Sequence, residues 1–96
     1  MEILVTYDVN TEDPAGRRRL RRVAKLCEAF GQRVQKSVFE CVLNEGQLEQ
    51  LRHKLQGAMD EEQDSLRIYR LRESRSRFLE VYGKVPEFDL REPLVV

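Results

Sequence analysis

Two groups of residues in this chain have the types and spacing to do chemistry. The first is Asp8, which closes the run Ile3-Leu4-Val5-Thr6-Tyr7 and is followed by Asn10 and Asp13. A carboxylate at a strand end can ligate a hard cation such as magnesium, which needs only one or two carboxylates and keeps several waters. One chain supplies one such aspartate, so a metal site here needs a second copy related by a two-fold axis. The alternative is that Asp8 caps its own loop. The second group is Arg17, Arg18, Arg19, Arg21 and Arg22, five arginines in six positions, with Lys25 following. Near a helix N-terminus this run opposes the macrodipole, so it is not there to stabilise the helix. Guanidinium forks match phosphate oxygens, and a helix N-terminus attracts anions by itself. A solvated face paired with acids is the competing reading. Nothing in the cluster selects base edges, so any nucleic-acid contact is expected to carry weak sequence preference.

Other chemistries find little support. Ser37 has no histidine or lysine base placed to serve it as a nucleophile. His53 reads as a surface residue on a helix. The five glycines are scattered and form no phosphate-cradling loop. Cys27 and Cys41 are far apart and form no C-x-x-C pair, and each falls on an apolar face, which fits reduced, buried thiols.

The bulk properties set the frame. At 96 residues the chain is expected to be a single domain, residues 1–96, with a modest core that a partner surface would help to complete. Hydrophobic residues at 41% and charged residues at 35% fit an ordinary globular protein. No apolar run approaches the roughly 20 residues of a membrane span. Met1-Glu2-Ile3-Leu4 lacks the layout of a secretory signal, so a cytoplasmic protein with no membrane partner is expected. The net charge of zero conceals segregation. Between Pro14 and Lys36 stand eight basic residues and one acid, Glu28, while Asp60, Glu61, Glu62 and Asp64 lie elsewhere. Segregated charge makes a local field even when the sum vanishes.

The elements that must position these residues follow from pattern. Glu2 to Val9 reads as a central strand, covered by helices on one face and by a partner on the other. Asp13 and Pro14 start a helix that Gly31 stops, with Leu20, Val23, Ala24, Cys27 and Phe30 on its apolar face. Arg33 to Leu43 is extended, with a bulge or tight turn at Gln35-Lys36-Ser37 splitting it in two. Asn44 caps a second helix that buries Leu48, Leu51 and Leu55 and ends near Gly57. Asp60 to Asp64 reads as an exposed loop, Ser65 to Leu71 as strand, and Phe78 to Tyr82 as a further strand. The order β-α-β-β-α-β plus one extra C-terminal strand gives an α+β, ferredoxin-like fold. One sheet face would be bare in a monomer, and the tail from Lys84 to Val96 is apolar, so a homodimer through sheet faces is expected, with the tail contacting a partner.

Three segments, Ile3 to Val9, Gly31 to Glu40 and Asp64 to Leu71, taken in order with the Arg-rich helix between the first two, resemble the hallmark segments of the CRISPR-associated Cas-two family. That resemblance implies a homodimer of ferredoxin-like protomers. It implies that Asp8 of both subunits holds magnesium or manganese between them. It matches Tyr7, Arg33 and Phe39 to positions tied to nuclease activity, and Ser37 to a motif serine with a structural or metal-neighbouring role. The arginines match only as a group, so Arg17, Arg18, Arg19, Arg21, Arg22, Lys25 and Lys36 are together the expected nucleic-acid-binding set. Family members are described as cutting single-stranded RNA or double-stranded DNA, and as bracketing DNA with the larger Cas-one integrase during spacer acquisition. A metal-dependent endonuclease and a non-catalytic, DNA-holding adaptor both follow from this. A related stand-alone ribonuclease toxin is a third reading.

Overall fold

The structure, a computed structural model, describes residues 1–84. Its elements are β1 (Glu2–Asp8), α1 (Pro14–Phe30), β2 (Gln32–Gln35), β3 (Val38–Val42), α2 (Glu45–Ala58), β4 (Ser65–Leu71) and a single turn, α3 (Arg75–Phe78). The four strands form one antiparallel sheet in the order β2-β3-β1-β4, the ferredoxin-like arrangement expected from the pattern. β1 is therefore central, hydrogen-bonded to β3 on one side and β4 on the other.

Local chemistry sets the helix boundaries. Asp13 accepts from the Gly16 N–H at 2.7 Å, and Pro14, which has no N–H to leave unpaired, occupies the first turn. At the far end the Gly31 N–H donates to the Cys27 carbonyl at 2.9 Å. Asn44 and Gln47 exchange side-chain and backbone hydrogen bonds at 2.8 and 2.9 Å, closing a capping box at the start of α2. α2 runs one residue past Gly57, to Ala58, and is capped by Met59. The split between β2 and β3 falls where the alternation breaks, with an irregular register between Arg33 and Gln35 and a turn at Lys36-Ser37.

Both long helices cover one face of the sheet. Ile3, Val5 and Tyr7 from β1, Phe39 and Cys41 from β3, Val23 and Cys27 from α1, and Leu48, Leu51 and Leu55 from α2 make a contiguous core. Each α2 leucine is fully buried, worth about 1.5–3 kcal/mol relative to exposure. The opposite face carries Leu4, Thr6 and Asp8, flanked by Val38 and Val42 on β3 and by Arg67 and Tyr69 on β4. Val42 and Tyr69 are 62% and 41% exposed there.

Two expectations need correction. Phe78 to Tyr82 is not a strand: Phe78 ends α3, and Leu79 to Tyr82 form no ladder. The Leu79 N–H donates to the Arg75 carbonyl at 2.8 Å, and Arg75 itself bonds Glu40 at 2.9 Å and lies 3.9 Å from Glu2. Those contacts hold the segment as a helical turn against the open face. Nor is all of Asp60 to Asp64 exposed, because the Asp64 side chain is fully buried. The expected partner contact of the tail falls almost wholly on residues 85–96, outside the described residues.

Gly31, the C-cap of α1, lies directly against the backbone of β3. A Cβ there would overlap the Cys41 sulfur and come within 2.5 Å of the Glu40 carbonyl oxygen. The strand backbone cannot yield, so Gly31→Ala is expected to destabilise the fold by about 1–3 kcal/mol, read as a lower denaturation midpoint at unchanged slope.

Candidate functional site

Side chains on a strand alternate between faces, and this separates residues that are adjacent in sequence. Asp8 ends β1 on the open face, exposed and opposite Ser65 on β4. Among the described residues its carboxylate makes no hydrogen bond or ion pair, so it does not cap its loop. The backbone on either side of it is fixed. The Tyr7 N–H donates to the Ser37 carbonyl at 3.1 Å, and the Asn10 N–H donates to Asp64 Oδ1 at 3.0 Å. Ser37 thus acts through its carbonyl.

Tyr7 points the other way, into the core. Its ring stacks with Phe39 at 6.2 Å between centroids, and its hydroxyl donates to the Lys36 carbonyl at 3.3 Å. The Arg33 guanidinium lies 5.1 Å over the Phe39 ring. Burial raises the Tyr7 phenol above its ordinary 10.0, nearby Cys27 adds to this, and Arg33 pulls it back in part through charge and a hydrogen bond. Tyr7, Phe39 and Arg33 therefore form one cluster. The sheet separates that cluster from Asp8.

The arginines of α1 divide by helical position. Arg19 turns inward and grips Asp64 with two bonds, Nε to Oδ2 at 2.9 Å and Nη2 to Oδ1 at 3.3 Å. Asp64 also accepts from the N–H groups of Asn10 and Asp60. Burial alone would raise the Asp64 carboxyl, but Arg19 and the two backbone donors outweigh it and hold the group below its ordinary 3.8. Arg17 donates to the Thr11 carbonyl at 3.2 Å at the helix start. Arg18, Arg21, Arg22 and Lys25, spaced one helical turn apart on the outer face, line an open depression of about 620 Å³ together with Glu28 and with Arg33 from β2. Lys36 is exposed on the β2–β3 turn.

Sequence reasoning passed over two features. In sequence Asp64 reads as one of a run of loop acids with Asp60, Glu61 and Glu62, and only the three-dimensional approach of α1 singles it out. Arg67 stands on the open face opposite Thr6, making it the diagonal neighbour of Asp8, and donates to the Tyr69 hydroxyl at 3.2 Å. The period-two pattern of Ser65, Arg67 and Tyr69 contained that signal. Cys27 and Cys41 are free and buried, and burial first, with neighbouring charge, pushes their thiols to about 12 and about 11, so both stay protonated and inert.

Among the described residues no three acids, histidines or cysteines cluster as a metal site. The donor that would suit magnesium is the uncommitted Asp8 carboxylate. It fits as half of a site, not as a whole one.

Asp64 generates a prediction with a definite sign. Because its carboxyl is held below 3.8 in the folded chain, its contribution is fully present above the unfolded value and lost as pH falls through the folded one. The stability gap between the native chain and Asp64→Asn should be largest near neutrality and shrink below about pH 4, measured by urea unfolding across pH.

Residues 1–77 match the family model described as CRISPR associated protein Cas2, the Cas-two family of the resemblance above. The chain is 57% identical to the CRISPR-associated endoribonuclease Cas2 1 of Moorella thermoacetica, with all of both chains covered. It is 50% identical to the CRISPR-associated endonuclease Cas2 of Halalkalibacterium halodurans, with 99% of each covered. The crystal structure of Streptococcus pyogenes Cas2 superposes with a TM-score of 0.77 at 53% identity, covering 86% of this chain and 100% of that one. Among the described residues no helix is long and apolar enough to cross a membrane. With three ordered segments, the sheet order and these likenesses in agreement, the chain belongs to the CRISPR-associated Cas2 family.

Proposed function

We propose that this chain is a metal-dependent endonuclease of CRISPR adaptation, acting on double-stranded DNA or single-stranded RNA as a two-fold homodimer joined through the open sheet faces. The observation that carries the reading is Asp8: exposed, uncommitted, on the bare face of the central strand, with pinned backbone on both sides. Relatives named endoribonuclease and endonuclease support the reaction class. The exposed Val42 and Tyr69 beside partly covered Leu4 and Val38 support the dimer, since soluble monomers rarely leave such a face uncovered.

In this reading the two Asp8 carboxylates, one from each copy, hold magnesium, with manganese as a substitute. When bound, the ion supplies Lewis acidity at a phosphodiester and a water of lowered pKa. The remaining work falls to the protein. The Asn10 and Tyr7 backbone bonds fix where Asp8 stands, and Arg67 offers a cation to the charge that develops beside it. Arg18, Arg21, Arg22 and Lys25 hold the sugar-phosphate backbone. Tyr7, Phe39 and Arg33 act from the core side, by supporting the strand end and not by touching the reacting phosphate. Arg19 is withdrawn from the phosphate-binding set by its bond to Asp64.

One observation favours a second reading, a non-catalytic adaptor that holds DNA between copies of the Cas-one integrase. The basic depression of α1 lies on the helix side of the sheet and Asp8 on the other, so nucleic acid held along α1 alone stays clear of Asp8.

The two readings part over Asp8→Ala. With linear duplex DNA and single-stranded RNA, and magnesium, manganese or chelator, the nuclease reading expects cleavage to fall by about 100-fold in the variant while binding in chelator is retained. Metal-dependent cutting that is equal in both proteins would refute it. No cutting by either, with tight salt-sensitive binding, would establish the adaptor.

A further inference from the structure

Glu28 stands alone. It is the single acid between Pro14 and Lys36 and, among the described residues, the one anionic group lining the depression walled by Arg18, Arg21, Arg22, Lys25 and Arg33. Its carboxylate lies 3.5 Å from Arg33 Nη2, longer than a charge-assisted hydrogen bond, and its side chain is 44% exposed. A long, half-exposed ion pair of this kind contributes little to folding. The Arg33 guanidinium also lies over the Phe39 face, a contact that Glu28 does not make.

A carboxylate set against a guanidinium in a cationic groove has the charge and donor demand of a phosphate oxygen. We propose that Glu28 is an internal phosphate mimic: in the free protein it occupies the Arg33 edge that a backbone phosphate of the bound nucleic acid takes in the complex. Binding then exchanges one anion for another at Arg33. Exchange favours partners that present several phosphates at once along the α1 row, where four further cations offset the displacement of Glu28. A nucleotide or a free phosphate engages too few of these cations to displace it. Glu28 thereby sets a threshold of charge density for entry to the groove and acts as a specificity-determining residue. This inference rests on the proposed phosphate-binding role of α1.

The test compares the native chain with Glu28→Gln, Arg21→Ala/Arg22→Ala, and Glu49→Gln as a remote acidic control on α2. Affinity for a linear duplex DNA is measured in chelator across a salt series, with inorganic phosphate as a second probe and thermal unfolding to confirm an intact fold. Glu28→Gln is expected to bind duplex about threefold more tightly, because no carboxylate has to be displaced from Arg33, with the log affinity–log salt slope nearly unchanged, because the same phosphates are neutralised in both complexes. It should also bind inorganic phosphate more tightly than the native chain by a similar factor, while Glu49→Gln matches the native chain. If the arginine double variant loses affinity but Glu28→Gln leaves affinity unchanged, the mimic is wrong and the groove reading survives. If the arginine double variant also binds normally, both fail together. An equal gain in Glu49→Gln would reduce the effect to net charge and overturn the proposal.

Discussion

The alternation of side chains along β1 is the constraint on which the rest depends. As the central strand, β1 must bury one row of side chains beneath the helices, and Ile3, Val5 and Tyr7 are that row. The intervening residues, Leu4, Thr6 and Asp8, are then committed to the opposite face. A shift of one residue in register would place Asp8 in the core and Tyr7 in solvent, at the cost of an unpaired buried charge, so the hydrophobic row holds the carboxylate outward. Its exposure follows from packing that Asp8 takes no part in.

The same separation orders the cationic residues. α1 must lay Val23 and Cys27 on the sheet, and Arg19 falls on the flank that meets the α2–β4 loop, where Asp64 receives it. Arg18, Arg21, Arg22 and Lys25 face outward. A run that looks uniform in sequence therefore has one structural arginine, one at the helix start and a row free to meet phosphate. By accepting from Asn10 as well as from Arg19, Asp64 ties α1 to the loop that follows Asp8, so the helix bearing the outward basic row and the strand end bearing the carboxylate are mechanically joined.

Much of this was legible in the sequence because it is written locally. The Asp13 and Asn44 caps, the helical spacing of Leu48, Leu51 and Leu55, and the broken alternation at Gln35-Lys36-Ser37 each require only near neighbours, and the strand order follows from the element order. What was hidden depends on distant groups. Asp64 lies 45 residues from the arginine that buries it, and composition alone assigns it to a solvated loop. Phe78 to Tyr82 is apolar enough for a strand, yet Arg75 finds Glu2 and Glu40 across the sheet and the segment turns instead. The grouping of Asp8 with Tyr7, Arg33 and Phe39 came from resemblance, while period-two geometry splits that group across the sheet.

The proposed function turns on a metal site made from one Asp8 of each of two chains. The most direct test is equilibrium titration of the purified protein with manganese, followed by electron paramagnetic resonance of free ion, alongside the mass of the species in solution. One manganese for every two chains is expected in a dimer, with that site lost in Asp8→Ala while the dimer stays intact. One ion per chain, or the same uptake by Asp8→Ala, would contradict it.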